Sequence, residues 1–189
     1  MPETSPPPDL EKLSLSEIAQ LALERRLPPV DQWNPAHCGD SEMRIARDGT
    51  WYHQGSPIGR LPMVRLFSTV LRREADGSFV LVTPVEKLSI AVEDAPFVAI
   101  AVHGEGAGQH RKIAFTLNTG DPVVVDKEHP LRFRDSDDGP HPYVLVRAGL
   151  EALIARPVYY ELAEWALAEN RTPLGLWSEG AFFSFEPPK

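Results

Sequence analysis

Short apolar segments bounded by turn residues fill the chain from Phe97 to Ile154, and this pattern predicts successive β-strands. Turns rich in Gly, Pro or Asp separate most of these segments. Their spacing is typical of a barrel or a sandwich. The predicted strands are Phe97–Val102, Lys112–Leu117, Val123–Val125, Leu131–Arg134, Tyr143–Val146 and Leu150–Ile154.

A smaller group of extended segments precedes Phe97. Turn sequences at Asp48-Gly49 and at residues 54–57 (Gln-Gly-Ser-Pro) interrupt residues 45–58. This punctuation predicts a small meander with Trp51 and Tyr52 in its second strand.

Residues 79–82 (Phe-Val-Leu-Val) predict a further strand, and Leu88–Val92 predicts its antiparallel partner. The sequence Tyr-Val-Leu-Val at residues 143–146 resembles the first of these segments. Matches of four apolar residues arise by chance in chains rich in strands, so this similarity alone leaves internal duplication open.

Three segments have helical patterns. Ser14–Glu17 fits a capping box and predicts a helix that ends at Leu27, before two prolines. Pro62 suits the first turn of a second helix that ends near Arg73, with Met63, Phe67, Val70 and Leu71 as its apolar stripe. The third helix runs from Arg156 to about Glu169 and buries Val158, Leu162 and Trp165; the aromatic residues 175–185 that follow predict extended chain.

Composition and charge narrow the classes of partner. The chain has 189 residues, of which 42% are apolar and 24% charged, which is an ordinary globular mixture. A net charge of −8 repels phosphate backbones and anionic lipid, so we expect neither nucleic acid nor membrane as a partner. The proline-rich start of the chain lacks the pattern of a signal peptide, so we expect a mobile tail and a cytoplasmic protein.

Sequence patterns that resemble catalytic or metal sites are weak in this chain. Gly104–Gly108 precedes a predicted strand rather than a helix, so a hairpin turn is favoured over a phosphate loop. Residues 175–180 have one residue too many before Ser178 for a nucleophile elbow. The single cysteine, Cys38, and six histidines without helical i, i+4 spacing support no metal and no cofactor.

Some polar residues stand within apolar segments. Arg65 lies in the most apolar turn of the second predicted helix and needs a carboxylate or a ligand anion, and an internal ion pair is the simpler reading. Arg65, Thr69 and Arg72 follow helical spacing and would form a basic line. Glu93-Asp94 offers adjacent carboxylates, but turn formation is favoured over acid–base chemistry.

Several motifs in the right order resemble a bacterial family labelled domain of unknown function 1285. They cover the chain from about His37 to Phe183. The motifs are Asp48-Gly-Thr-Trp51, Gly55-Ser-Pro-Ile58, Val64-Arg-Leu-Phe67, Leu81-Val-Thr-Pro-Val-Glu-Lys87, Val92-Glu-Asp-Ala-Pro-Phe97, Arg156-Pro-Val-Tyr-Tyr160 and Trp177-Ser-Glu-Gly-Ala-Phe-Phe183.

The resemblance implies an α+β chain of two small domains with duplicated motifs. The C-terminal domain is expected to be a strand-rich, pleckstrin-homology-like barrel closed by a helix. We therefore expect a mobile tail over residues 1–13, an N-terminal α+β domain over 14–95 and the pleckstrin-homology-like domain over 96–189.

For function, the resemblance implies a ligand-binding protein without established activity, in which a cleft between the domains holds a nucleotide-like molecule in signal transduction. Mapped by motif, the expected ligand-binding residues are Arg65, Thr83, Glu86, Lys87, Asp94, Arg156, Tyr159 and Ser178. No catalytic residue is implied. Tyr159 could stack on a base, and Arg65 or Lys87 could neutralise a phosphate.

The leading hypothesis is a cytoplasmic sensor that holds a small, nucleotide-like anion between its two domains. The alternative is a protein–protein interaction module that uses the second domain's surface or an exposed strand edge and has no small-molecule ligand. A hydrolase is the third reading, and it requires a histidine or a pair of carboxylates beside Ser178 or Cys38.

Overall fold

The computed structural model describes residues 27–186. The expected tail over residues 1–13 and the predicted helix that starts at Ser14 lie outside this range, except for Leu27, the predicted last residue of the helix, which is not helical. The described chain forms two compact units. Unit 1 comprises residues up to Arg44 together with Trp51–Ala91, and unit 2 comprises Ile45–Thr50 together with the residues from Val92 onward. The boundary after residue 95 stays a prediction.

Unit 1 is built on a six-stranded sheet with the order β3-β2-β1-β6-β5-β4. The central strands β1 and β6 run parallel, since the Ser41 hydroxyl donates to the Ser89 carbonyl (2.6 Å) and the Glu93 amide to the Ile45 carbonyl (3.0 Å). The strands are β1 (His37–Ile45), β2 (Trp51–His53), β3 (Ser56–Pro57), β4 (Leu71–Arg73), β5 (Phe79–Val82) and β6 (Glu86–Val92).

The helix of unit 1, α1, spans Leu61–Thr69 and is shorter than the sequence predicts. Leu71–Arg73 does not continue it but forms strand β4, which pairs with β5, and the Val82 amide donates to the Val70 carbonyl (2.9 Å). The helical pattern of Leu71–Arg73 does not decide its structure. Pairing in the sheet gives hydrogen-bond partners to backbone groups that the end of a helix would leave unpaired.

The buried face of α1 also differs from the prediction. The buried residues are Val64, Leu66, Ser68 and Thr69, while Met63 is 40% exposed. The hydroxyls of Ser68 and Thr69 donate to carbonyls one turn earlier, at 2.7 Å each, so these polar residues pack without an unsatisfied group. Because Arg72 lies on β4, the predicted basic line along a single helix is wrong.

Unit 2 contains a second six-stranded sheet, an open half-barrel with the order β10-β11-β12-β7-β8-β9. Strands β12 and β7 pair in parallel, with Ala152 opposite Phe97 and Ile154 opposite Ala99. The strands are β7 (Phe97–Glu105), β8 (Lys112–Leu117), β9 (Pro122–Val124), β10 (Leu131–Ser136), β11 (Gly139–Arg147) and β12 (Leu150–Ile154). Their core side chains include Phe97, Phe115 and Leu150, each at most 1% exposed.

The two sheets share one topology. Adding six to each strand number of the first sheet converts its order, β3-β2-β1-β6-β5-β4, into that of the second sheet read from its other edge. In each sheet the first and last strands of the set are the parallel central pair. The similar sequences at Phe79–Val82 and Tyr143–Val146 lie on β5 and β11, which are equivalent strands. The strand order therefore supports the internal duplication that the sequence left open.

A helix and a hairpin follow the second sheet. Helix α2 spans Arg156–Ala168 and buries Val158 and Leu162, as predicted, while Trp165 is only partly buried. Strands β13 (Gly175–Ser178) and β14 (Ala181–Ser184) form an antiparallel pair where extended chain was predicted. None of the helices within residues 27–186 is long and apolar enough to cross a membrane.

Candidate functional site

A depression in unit 2, which we call the β11–α2 pocket, lies where β11, the end of β12 and the first turns of α2 meet. Its volume of about 590 Å³ lies within the range typical of small-molecule sites. Its lining combines prolines and tyrosines with cationic side chains. The lining residues are Arg47, Asp138–Pro142, Leu153–Arg156, Tyr159 and Tyr160.

The helix end of this pocket favours negative charge. Ala155 precedes α2 and offers no side-chain cap, and the first turn contains no acidic residue. The first amides of a helix have no partner within it and carry partial positive charge. Arg156, the first residue of the helix, is exposed and adds a full positive charge at the same end.

Aromatic rings line the pocket beside this positive end. The rings of Tyr159 and Tyr160 lie 6.2 Å apart, centroid to centroid. Tyr159 also contacts Phe133 and Phe185, at 6.3 and 6.2 Å, which fixes its ring on the body of unit 2. Tyr160 is 55% exposed and has a ring face open to solvent or to a ligand.

Arg47 and His141 form the polar side of the pocket. A nitrogen of the Arg47 guanidinium lies 2.5 Å from Nδ1 of His141, and Nε2 of His141 lies 2.8 Å from Oδ1 of Asp138. A guanidinium only donates, so Nδ1 accepts and Nε2 carries the proton donated to Asp138. Hydrogen bonds from Ser136 and His141 lower the pKa of the Asp138 carboxyl.

A second depression adjoins the first, since Arg47 and His141 line both. We call it the Asp94 pocket; its volume is about 340 Å³. Its lining is almost entirely polar. The lining residues are Arg47, Glu93, Asp94, Arg134, Asp135, Ser136, His141 and Tyr143.

Asp94 has two side-chain partners in this second pocket. One carboxylate oxygen accepts the Tyr143 hydroxyl at 2.8 Å, and the other lies 3.3 Å from Nε of Arg47. Burial, together with the hydrogen bond to Asp94 and the negative charge of that residue, raises the pKa of Tyr143 to about 12. The phenol therefore stays a hydrogen-bond donor throughout the neutral range.

Arg134 is fixed from two sides. Its guanidinium lies 4.3 Å from the centroid of the Tyr143 ring and forms an ion pair with the buried Glu151. Arg132 lies 3.5 Å from the same carboxylate. The charge of Arg134 is thus balanced within unit 2.

Three of the eight predicted site residues line these two pockets. Asp94 belongs to the Asp94 pocket, and Arg156 and Tyr159 belong to the β11–α2 pocket. These three residues come from separate motifs. Strand β12, which leads into α2, pairs in parallel with β7, so the start of α2 and the segment before Phe97 lie in the same part of unit 2.

Ser178 is held in the interior instead. Its side chain has no exposed surface, its hydroxyl donates to the Val125 carbonyl (2.6 Å), and it accepts the Ile113 amide (3.0 Å). The hydroxyl joins β13 to the sheet, so it has neither surface for a ligand nor a base beside it. A hydrolase built on Ser178 has no support in this geometry.

Four predicted residues lie in unit 1. Thr83 shapes the turn between β5 and β6, where its hydroxyl accepts the amides of Val85 (3.3 Å) and Glu86 (3.2 Å). Lys87 lies on β6, with Nζ 3.8 Å from Glu74. Arg65 is half-buried on α1. The expected position of a ligand between the two domains stays a prediction.

Sequence reasoning missed the residues that join the two pockets. Arg47 directly precedes the Asp48-Gly49 turn, and His141 stands between two prolines in a segment read as a turn. The residues next to Arg47 and His141 in sequence are typical of turns, so they give no sign of a ligand. Arg47 and His141 come together only in the folded chain. Within residues 27–186, no group of three or more His, Cys, Asp or Glu side chains could hold a metal ion.

Two six-stranded α+β halves with one strand order, and an open polar site in the second, define a two-domain protein built by duplication. The N-terminal family model, described as a domain of unknown function (DUF1285), matches residues 28–95, and the C-terminal model of the same family matches residues 96–185. The chain belongs to the DUF1285 family, as its motifs indicated. No curated protein matches the chain.

Solved structures agree with this assignment. The chain is similar to a DUF1285 family protein from Silicibacter pomeroyi DSS-3, with 49% identity over 84% of this chain and 86% of that one and a TM-score of 0.78. It is also similar to a DUF1285 family protein from Shewanella baltica OS155, with 26% identity over 65% and 90% of the two chains and a TM-score of 0.50.

Proposed function

We propose that this protein is a binding protein for a small, nucleotide-like anion, which it holds in the β11–α2 pocket of unit 2. One observation carries the proposal: the exposed Arg156 and the uncapped start of α2 lie beside the rings of Tyr159 and Tyr160 in one depression. A positive end and an aromatic face are the two features that a nucleotide requires.

The charge of the pocket differs from that of the whole protein. The protein has a net charge of −8, so its overall field repels anions. Within the pocket, Arg156 and the helix start face a single carboxylate, Asp138, which is already bonded to His141, while the charge of Arg47 is paired with Asp94. The pocket therefore attracts an anion that the rest of the surface repels.

The aromatic side of the pocket suits the base of a nucleotide. Tyr160 is half-exposed, and Tyr159 is held against Phe133 and Phe185. A planar base can stack on the Tyr159 ring with little loss of side-chain entropy, because that ring is already positioned. Stacking of this kind contributes about 1–3 kcal/mol per base in proteins that bind single strands.

We extend the proposal to a regulatory role in the cytoplasm, in which the ligand signals to a further component. The polar and aromatic lining of the two pockets in unit 2 supports this role. We also propose that unit 2 follows a pleckstrin-homology-like plan, since strands β7–β12 precede helix α2.

A thermal-shift panel tests the proposal. Mononucleotides, cyclic nucleotides and simple phosphates are added at about 1 mM, where a ligand with a Kd of ~0.1 mM stabilises the fold by roughly 1 kcal/mol or more. At least one nucleotide should raise the Tm of the protein. A panel without any shift would refute the proposal.

Variants then locate the site. Arg156→Gln should weaken binding of the active nucleotide roughly tenfold, because it removes a charged hydrogen bond. The matched control is Arg171→Gln, which removes an exposed arginine beyond the other end of α2, where Nε lies 3.8 Å from Glu169. Equal effects of the two substitutions would place the site elsewhere.

A protein-interaction module is the second candidate, and strand β10 is the observation that favours it. This strand pairs with β11 and forms one edge of the sheet, so its outer backbone groups could pair with a peptide strand. Arg132 stands on this edge with 54% of its side chain exposed, and it would favour an acidic peptide. Capture of a stoichiometric partner that Arg132→Glu abolishes, with no nucleotide response, would favour this candidate.

A further inference from the structure

We propose that the Asp94 pocket binds a hydroxyl-rich, sugar-like group of the same ligand, so that the ligand class is a sugar phosphate or nucleotide with free ribose hydroxyls. This inference rests on the proposed function and deepens it. The two pockets share Arg47 and His141, and one ligand can therefore extend from the β11–α2 pocket into the Asp94 pocket.

The two pockets differ in their numbers of acidic and basic side chains, and we therefore infer different roles for them. The Asp94 pocket is lined by the carboxylates of Glu93, Asp94 and Asp135 and by two guanidiniums, those of Arg47 and Arg134. Acidic groups outnumber the arginines, so this pocket does not favour a phosphate. A neutral group with several hydroxyls satisfies both carboxylate acceptors and guanidinium donors.

The guanidiniums are also already engaged. Arg134 is paired with Glu151 and stacked on Tyr143, and Arg47 lies 3.3 Å from Asp94. Moving either arginine onto a phosphate would remove one of the partners of a carboxylate, at a cost. A sugar requires no such change of partners, because its hydroxyls can donate to carboxylate lone pairs that the arginines do not use, and the ion pairs stay in place.

The carboxylates can accept further hydrogen bonds. Each Asp94 oxygen has one partner, Tyr143 or Arg47, and each carboxylate oxygen has two lone-pair directions. Asp135 lies exposed on β10, at the rim of the pocket. A pair of vicinal hydroxyls can donate to acceptors placed in this way, as carboxylates accept from sugar hydroxyls elsewhere.

The experiment compares adenosine 5′-monophosphate with its 2′,3′-dideoxy counterpart by isothermal titration calorimetry on the full chain. The phosphate and base are identical, so only the ribose hydroxyls differ. The dideoxy compound should bind roughly tenfold more weakly, because carboxylate acceptors lose their donors. Asp135→Asn should weaken binding of the ribonucleotide and leave binding of the dideoxy compound unchanged.

Asp137→Asn is the matched control, since Asp137 is exposed, lies two residues further along and does not line the pocket. It should change neither affinity. Equal affinity for the two nucleotides, or equal effects of Asp135→Asn and Asp137→Asn, overturns the sugar subsite and leaves the proposed function intact. Failure of every nucleotide and phosphate to bind overturns the proposed function, and the subsite with it.

Discussion

The Tyr143 hydroxyl donates a hydrogen bond to Oδ1 of Asp94 over 2.8 Å, and this bond ties β11 to the segment that precedes β7. Tyr143 is only 4% exposed, so its hydroxyl has little access to water. The carboxylate in turn lies 3.3 Å from Nε of Arg47. A single hydrogen bond thereby positions both the acid and the guanidinium of the candidate site.

Replacing Tyr143 with phenylalanine tests the strength of this bond. Hydrogen bonds to charged groups contribute about 1.5–3 kcal/mol, and Asp94 keeps Arg47 as a partner, so Tyr143→Phe should lower the free energy of unfolding by about 1–2 kcal/mol. Urea denaturation followed by circular dichroism measures the change. Tyr160→Phe is the control, because no hydrogen bond of its hydroxyl is found in the described chain, and it should have almost no effect.

The raised pKa of Tyr143 predicts a loss of stability at alkaline pH. Its pKa is about 12 in the folded protein, and it is about 10 in an unfolded chain. A raised pKa adds stability that is complete below about pH 10 and is lost as the pH rises through about 12, with a size of about 3 kcal/mol at most. Unfolding free energies measured across this range should converge for the native protein and Tyr143→Phe. Parallel curves would show that Tyr143 ionises normally.

Most strands of unit 2 were predictable from sequence because turn residues bound their apolar segments. Lys112–Leu117 and Leu150–Ile154 have the predicted limits, and the two-domain α+β organisation is confirmed. The pairing of strands was not predictable. The parallel contact of β12 with β7 joins residues far apart in sequence, and no local pattern encodes such a contact.

Where local signals compete, the tertiary structure decides. The stripe of Met63, Phe67, Val70 and Leu71 fits a helix, yet Leu71 pairs with Leu81 in the sheet. A β-branched residue, Val70, stands at the switch from helix to strand and is compatible with both. In such a segment, the residue at which the helix ends depends on tertiary hydrogen-bond partners, and the spacing of apolar residues in the sequence does not reveal these.

The candidate site was predictable only where a motif carried it. Asp94, Arg156 and Tyr159 stand in motifs of the family and line the two pockets. Arg47 and His141 stand beside turn residues, and their pairing appears only once the chain is folded. Functional residues in turns are missed because the turn explains the local sequence by itself.

Replacing Gly175 with alanine tests how closely β13 and β14 pack. A Cβ at this position would lie 2.3 Å from the Phe183 carbonyl oxygen and 2.7 Å from the Phe182 ring. Backbone cannot yield cheaply, so Gly175→Ala should lower the free energy of unfolding by about 2–3 kcal/mol. Gly59→Ala is the control, because a Cβ there meets nothing within 4 Å, and it should change stability by less than about 1 kcal/mol. Similar stability of the two variants would contradict the packing of the hairpin.

Ser178→Ala distinguishes a structural serine from a functional one. Removing the hydroxyl leaves the buried Ile113 amide without an acceptor and the Val125 carbonyl without this donor, so the unfolding free energy should fall by about 1–3 kcal/mol. Ser89→Ala is the control, since Ser89 is exposed and should be neutral within about 0.5 kcal/mol.

Ligand binding completes the test of Ser178. The serine has no exposed surface, so the affinity of Ser178→Ala for a nucleotide that binds the native protein should be unchanged at a temperature where both are folded. Unchanged stability combined with weaker binding would mean that the hydroxyl faces the ligand in solution. The motif around Ser178 would then belong to the candidate site. If losing its two backbone hydrogen bonds costs no stability, the Ser178 side chain can turn toward the surface.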